Sequence, residues 1–268
     1  MAQFDLKKAT LRLCDGRLAT LTTTAANGVN AQFTLTDKDT HRGTRTPVSI
    51  VIVVAGLSTA LSVVVVGTVI TVNSATDGAG LATSTPNTIK PAIEASVPAN
   101  ALVTVTLPGT GAAVVSAQAS TPLATGARTL TLKVNEGTMS YTEKKNRKYT
   151  RDRGLLSLVM NADEEPLEAK FDVIWEFITA STGGTETVED VLKNRGEASD
   201  WVTTDADACN PFAVDIEIEY NPNCGGAQKE FIVLEDFRYE NIDHTLKEGV
   251  LAFSGKCNVT EASVYRQT

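Results

Sequence analysis

Two compositions share one chain of 268 residues, and the seams between them limit how it can fold. Across residues 46–127 only Asp77, Lys90 and Glu94 carry charge, and Val, Ala, Thr, Ser and Gly make up most of the rest. On both sides the text is dense in Asp, Glu, Lys and Arg and holds nearly all the aromatic residues. The seams read as a cut strand. Arg17-Leu18-Ala19-Thr20-Leu21-Thr22 stops, and Arg128-Thr129-Leu130-Thr131-Leu132-Lys133-Val134 resumes the same alternation. An exposed turn tolerates such an insertion. The expectation is a discontinuous host domain, residues 1–21 and 128–268, interrupted by an accessory domain at 22–127. Each is long enough to bury a core of its own.

Charge separates the two in the same way. Within 22–127, Asp37, Asp39, Asp77 and Glu94 balance Lys38, Arg42, Arg45 and Lys90, so the net charge of −8 lies on the host. An acidic host argues against tight binding along nucleic acid, which needs cations to neutralise phosphates. It suits solubility, or a surface that DNA passes without sticking. The first residues have no apolar core and do not read as a leader. Residues 48–72 are uncharged and long enough to span a bilayer. They are rich in Val, Ile, Thr and Ser, are divided by Gly56 and Gly67, and lie between Pro47 and Asn73 without an aromatic belt. That pattern predicts strands and no membrane span. Cys14, Cys209, Cys224 and Cys257 form no CxxC pair, and only His41 and His244 accompany them, so neither a zinc site nor another cofactor is expected. Cys209 and Cys224 bracket one strand and could meet only if the chain folds back.

The host reads as alternating strands. Phe4, Leu6, Ala9, Leu11 and Leu13 mark the first, turned at Asp15-Gly16. After the seam, Leu130, Leu132 and Val134 alternate, and Asn135-Glu136-Gly137 predicts a turn into Met139-Ser140-Tyr141-Thr142. Phe171, Val173, Trp175 and Phe177 fall on one face of a strand, opposite Lys170, Asp172, Ile174 and Glu176. Gly183-Gly184 loops to a helix capped by Thr187, with Asp190 three residues on and Gly196 as its expected end. Further strands are expected at Phe231–Leu234 and from Val250 through Val259 to Val264. The insert predicts strands at 48–54, 61–66, 69–72 and 102–107 and a helix over 89–95 opened by Thr85-Pro86. A weak start lies at Phe33 and Leu35, and a fifth element lies over 114–119. A small α+β domain follows.

Two charged segments stand out. The first is Lys144, Lys145, Arg147, Lys148, Arg151 and Arg153, interrupted by Asp152 and accompanied by Tyr141 and Tyr149. It is too charged for a core, and it reads either as a solvated face or as a loop seeking an acidic neighbour between subunits. The second is the strand 214–220. There Val214, Ile216, Ile218 and Tyr220 point one way, and Asp215, Glu217 and Glu219 point the other. Such carboxylates stand roughly 7 Å apart along one face, too wide for one ion by themselves. A wet channel wall and an ion-pair ladder to a neighbouring strand both account for the row. A two-carboxylate hydrolase is the enzymatic alternative, but no acid, base and binding pocket can be assembled from the motifs, so no enzyme is expected.

The host also resembles the major tail tube proteins of long-tailed bacteriophages. The likeness lies in Phe4-Asp5-Leu6-Lys7-Lys8-Ala9-Thr10-Leu11-Arg12-Leu13-Cys14-Asp15-Gly16, in Gly137-Thr138-Met139-Ser140-Tyr141-Thr142-Glu143-Lys144 and in Thr150-Arg151-Asp152-Arg153-Gly154. It continues in Glu164-Glu165-Pro166-Leu167 with the following strand and in Ser254-Gly255-Lys256-Cys257-Asn258-Val259-Thr260-Glu261. It is a likeness of whole-segment texture, because the family has no short catalytic motif. The insert, at Leu61-Ser62-Val63-Val64-Val65-Val66-Gly67, Ile70-Thr71-Val72, Ala75-Thr76-Asp77 and 89–96, is similar to a mobile small domain of phage structural proteins. The resemblance implies a mainly β fold, a sandwich or barrel with one flanking helix. It also implies self-assembly into stacked rings, usually hexameric, that join other tail proteins in the virion after assembly in the host cytoplasm. The tube would conduct ejected DNA without binding it tightly. Asp215, Glu217 and Glu219 would line the channel, Lys144–Arg153 would contact the next subunit, and the insert would be displayed outside. A display or host-binding module on a virion scaffold is the second expectation.

Overall fold

Period-two alternation dominates the folded chain, which is mainly β with few helices. The computed structural model describes residues 8–24, 27–40, 47–124, 126–152, 155–174, 186–207, 209–221, 229–245 and 247–267. Two compact units divide it: Met1–Gly16 with Arg128–Thr268, and Arg17–Ala127.

In the first unit, β1 (Ala9–Cys14) pairs antiparallel with β14 (Val214–Tyr220) on one side and β9 (Thr129–Leu132) on the other. Next to β14 runs β15 (Lys229–Thr245), whose first part also carries β17 (Ser263–Gln267). The second part of β15 pairs with β16 (Val250–Lys256), then β13 (Glu168–Ile174), then β10 (Val134–Thr142). The path ends on β9 and β10, which only Lys133 separates, so one continuous run of chain serves both ends of it. The 17-residue β15 serves two sets of neighbours because it bends. Glu235 and Asp236 together oppose Asp215, a bulge in which Asp236 takes φ 55°. Beyond the bend Gly255 faces Tyr239, and a Cβ at Gly255 would run into the Arg238 carbonyl oxygen, so this crossing admits only glycine.

The alternation places the core as expected along β13: Ala169, Phe171 and Val173 are buried, and Lys170 and Ile174 are exposed. Trp175 and Phe177 lie outside the described residues. Phe171 and Phe253 stack at 5.2 Å between centroids, and Phe237 meets them edge-on at 6.2 and 6.1 Å. Each such pair contributes about 0.5–1.5 kcal/mol beyond its burial. The helix Val188–Leu192 opens as its capping box predicts: Asp190 N–H donates to Thr187 Oγ1 (3.1 Å), and the Thr187 hydroxyl donates to Asp190 Oδ2 (2.6 Å). It ends before Gly196, because Asn194 itself takes the left-handed turn at φ 45°.

Two expectations give way to backbone bonding. The turn at Asn135-Glu136-Gly137 is instead continuous strand with a register break between Val134 and Met139. The last strand stops at Lys256, where Cys257 N–H donates to Leu167 O (2.9 Å) and Leu167 N–H donates to Val259 O (2.7 Å). The chain then returns as the separate strand β17.

The second unit has two sheets. One is β2 (Thr20–Thr22), β3 (Thr34–Asp37) and β7 (Val103–Thr106). The other runs in the order β5 (Ser62–Val66), β6 (Val69–Asn73), β4 (Ser49–Val53), β8 (Gln118–Pro122), with β4 and β6 parallel. Helices Pro86–Ala95 and Val97–Leu102 complete it, and Phe33, Leu35, Ile50, Ile70, Ile89 and Ile93 are fully buried in its core. Residues 17–22 side with this unit, because Thr20–Thr22 pair with Thr34–Thr36. The division therefore falls at Gly16, five residues before the seam that alternation marks. The first unit closes on itself there: Asp15 N–H donates to Arg128 O (3.1 Å), and Arg128 N–H donates to Asp15 Oδ1 (2.7 Å). Among the described residues, no helix is long and apolar enough to cross a membrane.

Candidate interaction surface

The acidic row and the basic run lie in the same unit and end in opposite states. On β14, Glu217 stands opposite Arg12 of β1. The Arg12 guanidinium donates from Nη1 to Glu217 Oε1 (3.0 Å) and from Nη2 to Glu219 Oε2 (2.6 Å). Lys229 Nζ reaches the other oxygen of Glu219 at 2.5 Å. Asp215 Oδ1 accepts the Asp236 N–H at the β15 bulge (2.7 Å). Glu217 is fully buried and Asp215 nearly so. Burial opposes the charge on Arg12, yet the hydrogen bonds and charges of Glu219 and Glu217 outweigh it and raise its pKa. Burial likewise works against the Glu219 carboxylate, but Lys229 and Arg12 overcome it and lower its pKa.

This corrects the expectation of a wet channel wall. Both faces of β14 are inside its unit, and the row is an ion-pair ladder whose cation comes from 205 residues away in sequence. Asp215 and Glu217 therefore line no channel. Alternation along β14 marks them as polar, but only Arg12, between Leu11 and Leu13 on β1, could have pointed to their partner.

The basic run instead becomes a ribbon. β11 (Arg147–Asp152) pairs with β12 (Leu155–Asn161) and with nothing else among the described residues. Its base is tethered. Lys144 Nζ sits 3.0 Å from Glu168 Oε1 and 3.9 Å from Glu165 Oε2, Lys145 pairs with Glu261, and Asn146 Nδ2 donates to Glu165 Oε1 (2.6 Å). The Lys144–Glu168 hydrogen bond raises the pKa of Lys144 and lowers that of Glu168. A cleft of about 360 Å³ at this base is lined by Lys144, Lys145, Glu165 and Glu261 of these pairs, together with Arg147 and Glu164. Beyond the tether the ribbon is exposed from Arg147 to Arg151 and from Leu158 to Asn161. Tyr149 is 57% exposed, Leu158 50%, Val159 46% and Met160 44%. These aliphatic residues follow the basic run directly in sequence, a signal that charge alone does not carry. Arg153 lies outside the described residues.

The remaining reactive groups are quiet. Burial pushes the Cys257 thiol up to about 12, helped by Asp215, Asp236 and Glu235. Cys209 is an exposed free thiol, and Cys224 lies outside the described residues. No group of three His, Cys, Asp or Glu among the described residues is placed to hold a metal ion. No protein-family model, no curated protein and no solved structure matches the chain.

Proposed function

We propose that this chain is a structural virion protein, a tail tube subunit that assembles into stacked, hexameric rings through which DNA is ejected. The observation that carries this reading is the ribbon. A two-stranded ribbon alone is marginal in water, yet this one displays Tyr149, Leu158, Val159 and Met160 to solvent. Its cations Arg147, Lys148 and Arg151 make no ion pair among the described residues. It has the composition of half an interface, and the rest of its own acidic unit supplies the chemistry of the other half. Repetition of such a contact by identical subunits builds a closed ring or a stack, and pairs edges that would otherwise stay open. The tail-tube resemblance of the host segments supplies the particular assembly. In it residues 22–127 form an inserted domain displayed outside, other tail proteins are the neighbours, and the acidic surface lets DNA pass without holding it. The role is mechanical rather than enzymatic.

Electron microscopy of the purified full chain tests this. Rings or tubes are expected, and dispersed monomers at high concentration reject it. A display module on the same scaffold is favoured by one further observation. Leu57 and Leu81 are 69% and 66% exposed on neighbouring loops, tied by Ser58 N–H to Asp77 O (2.8 Å) and Asp77 N–H to Leu81 O (2.9 Å). Binding of the isolated particle to cells, lost when both leucines become serine, would support that second role.

A further inference from the structure

We infer that the ribbon is a wedge gripped on both faces by two further copies of this chain, rather than a strap lying on one. This rests on the ribbon being an assembly contact. Directly opposed residues of an antiparallel pair share a face, and successive pairs alternate faces. Arg147 opposes Asn161 and Tyr149 opposes Val159, which puts Arg147, Tyr149 and Val159 on one face. Lys148 opposes Met160 and Thr150 opposes Leu158, which puts Lys148, Met160 and Leu158 on the other. Over these four pairs each face carries one cation and two exposed apolar side chains, and Arg151 extends the Arg147 face.

A strand pair lying on a single surface buries one face and turns the other to water, and the wet face then reads polar. This ribbon has no wet face in that sense. Its two sides repeat the same mixture, so the complementary surface has to meet both.

The occupant follows from charge. The run Lys144–Arg153 holds six cations against Asp152 inside a host whose net charge is −8. A polyanion such as DNA would be repelled by that host before the ribbon could hold it. A second and a third copy carry the same net charge, but they offer acidic groups beside apolar ones, the mixture each face presents, which a polyanion does not.

The test uses the full chain carrying a photo-crosslinking side chain in place of Tyr149, of Met160, or of both. Each single variant should join two chains, the two variants should cross-link to different segments, and the double variant should give a three-chain product. Two-chain products alone from the double variant, no inter-chain product from one position, or cross-links to nucleic acid or within the same chain would each overturn the wedge. A second measurement needs no photochemistry. Tyr149→Glu with Val159→Glu, and separately Leu158→Glu with Met160→Glu, should each raise the concentration needed for assembly by roughly tenfold or more. Melting of the monomer should stay nearly unchanged, because the replaced side chains are exposed. A normal assembly concentration in either pair overturns the wedge and leaves the proposed function standing. A wild-type chain that never assembles overturns both.

Discussion

The acidic row of β14 and the basic ribbon strand β11 illustrate opposite ways of placing charge in a sheet. Asp215, Glu217 and Glu219 repel one another in sequence, yet the fold brings Arg12 and Lys229 to them and closes the set within one chain. Arg147, Lys148 and Arg151 receive no such partner among the described residues. A run of like charge on a strand therefore marks a buried ladder in one place and an open surface in the other. The difference lies in which strand the topology sets alongside, because β14 sits between β1 and β15 while β11 has only β12.

The largest effect should come from breaking the ladder. Arg12→Ala removes the guanidinium that pairs with the buried Glu217 carboxylate, so denaturant unfolding should show a loss of up to about 3–5 kcal/mol. Replacing both Arg12 and Glu217 with Met should recover most of it, and a double variant as unstable as the single would show that the ladder is not the reason for the loss.

Acid should act next. Glu219 has a lowered folded pKa, so its contribution is present above the ordinary glutamate value near 4.5 and is lost as pH falls through the folded value. Melting followed between pH 6 and pH 3 should drop in that lower window, and Glu219→Gln should flatten the drop. A smaller gain is expected at the bulge. Burial, and then the nearby Asp215 and Asp205 charges, raise the Asp236 pKa despite the Thr204 hydrogen bond. Its charge thus costs stability at neutral pH, and the cost is relieved as pH falls through the raised value. Asp236→Asn keeps an acceptor for Thr204 and tolerates the positive φ. It should raise the melting temperature at pH 7, with the gain shrinking in acid.

The smallest effect on stability belongs to the ribbon. Arg147→Glu, Lys148→Glu and Arg151→Glu together should move unfolding by no more than roughly 0.5 kcal/mol per site, while abolishing the proposed ring stacking in micrographs. Unaltered tube length and yield would show that the ribbon is not the contact.

Most of the strands were legible because each needs only its own alternation, as β13 and β14 show, and the Thr187 cap was legible because three residues define it. What was hidden depends on partners distant in sequence. One strand cannot reveal whether its polar face meets water or an arginine from another strand, and this misplaced Glu217. Thr20–Thr22 continues the host's pattern in sequence but bonds to Thr34–Thr36, and this shifted the boundary. The apolar stretch Leu158–Met160 follows six cations, and its exposure shows only once β12 is seen to have a single neighbour.

The pairing of β1 with β14 also sets a timetable. Arg12 and Glu217 are 205 residues apart, and translation at about 5–20 residues per second separates them by roughly 10–40 s. Among the described residues every strand partner of the unit Arg17–Ala127 lies within that unit, so it has these pairings available on the ribosome long before β1 has both of its own. During that wait β1 can pair with β9, which follows that unit directly in the chain, but the edge that will take β14 stays open. Arg12 in the middle of Ala9–Cys14 then works as a gatekeeper, keeping a short apolar strand from pairing with other nascent chains until the acidic partner that neutralises it has been made.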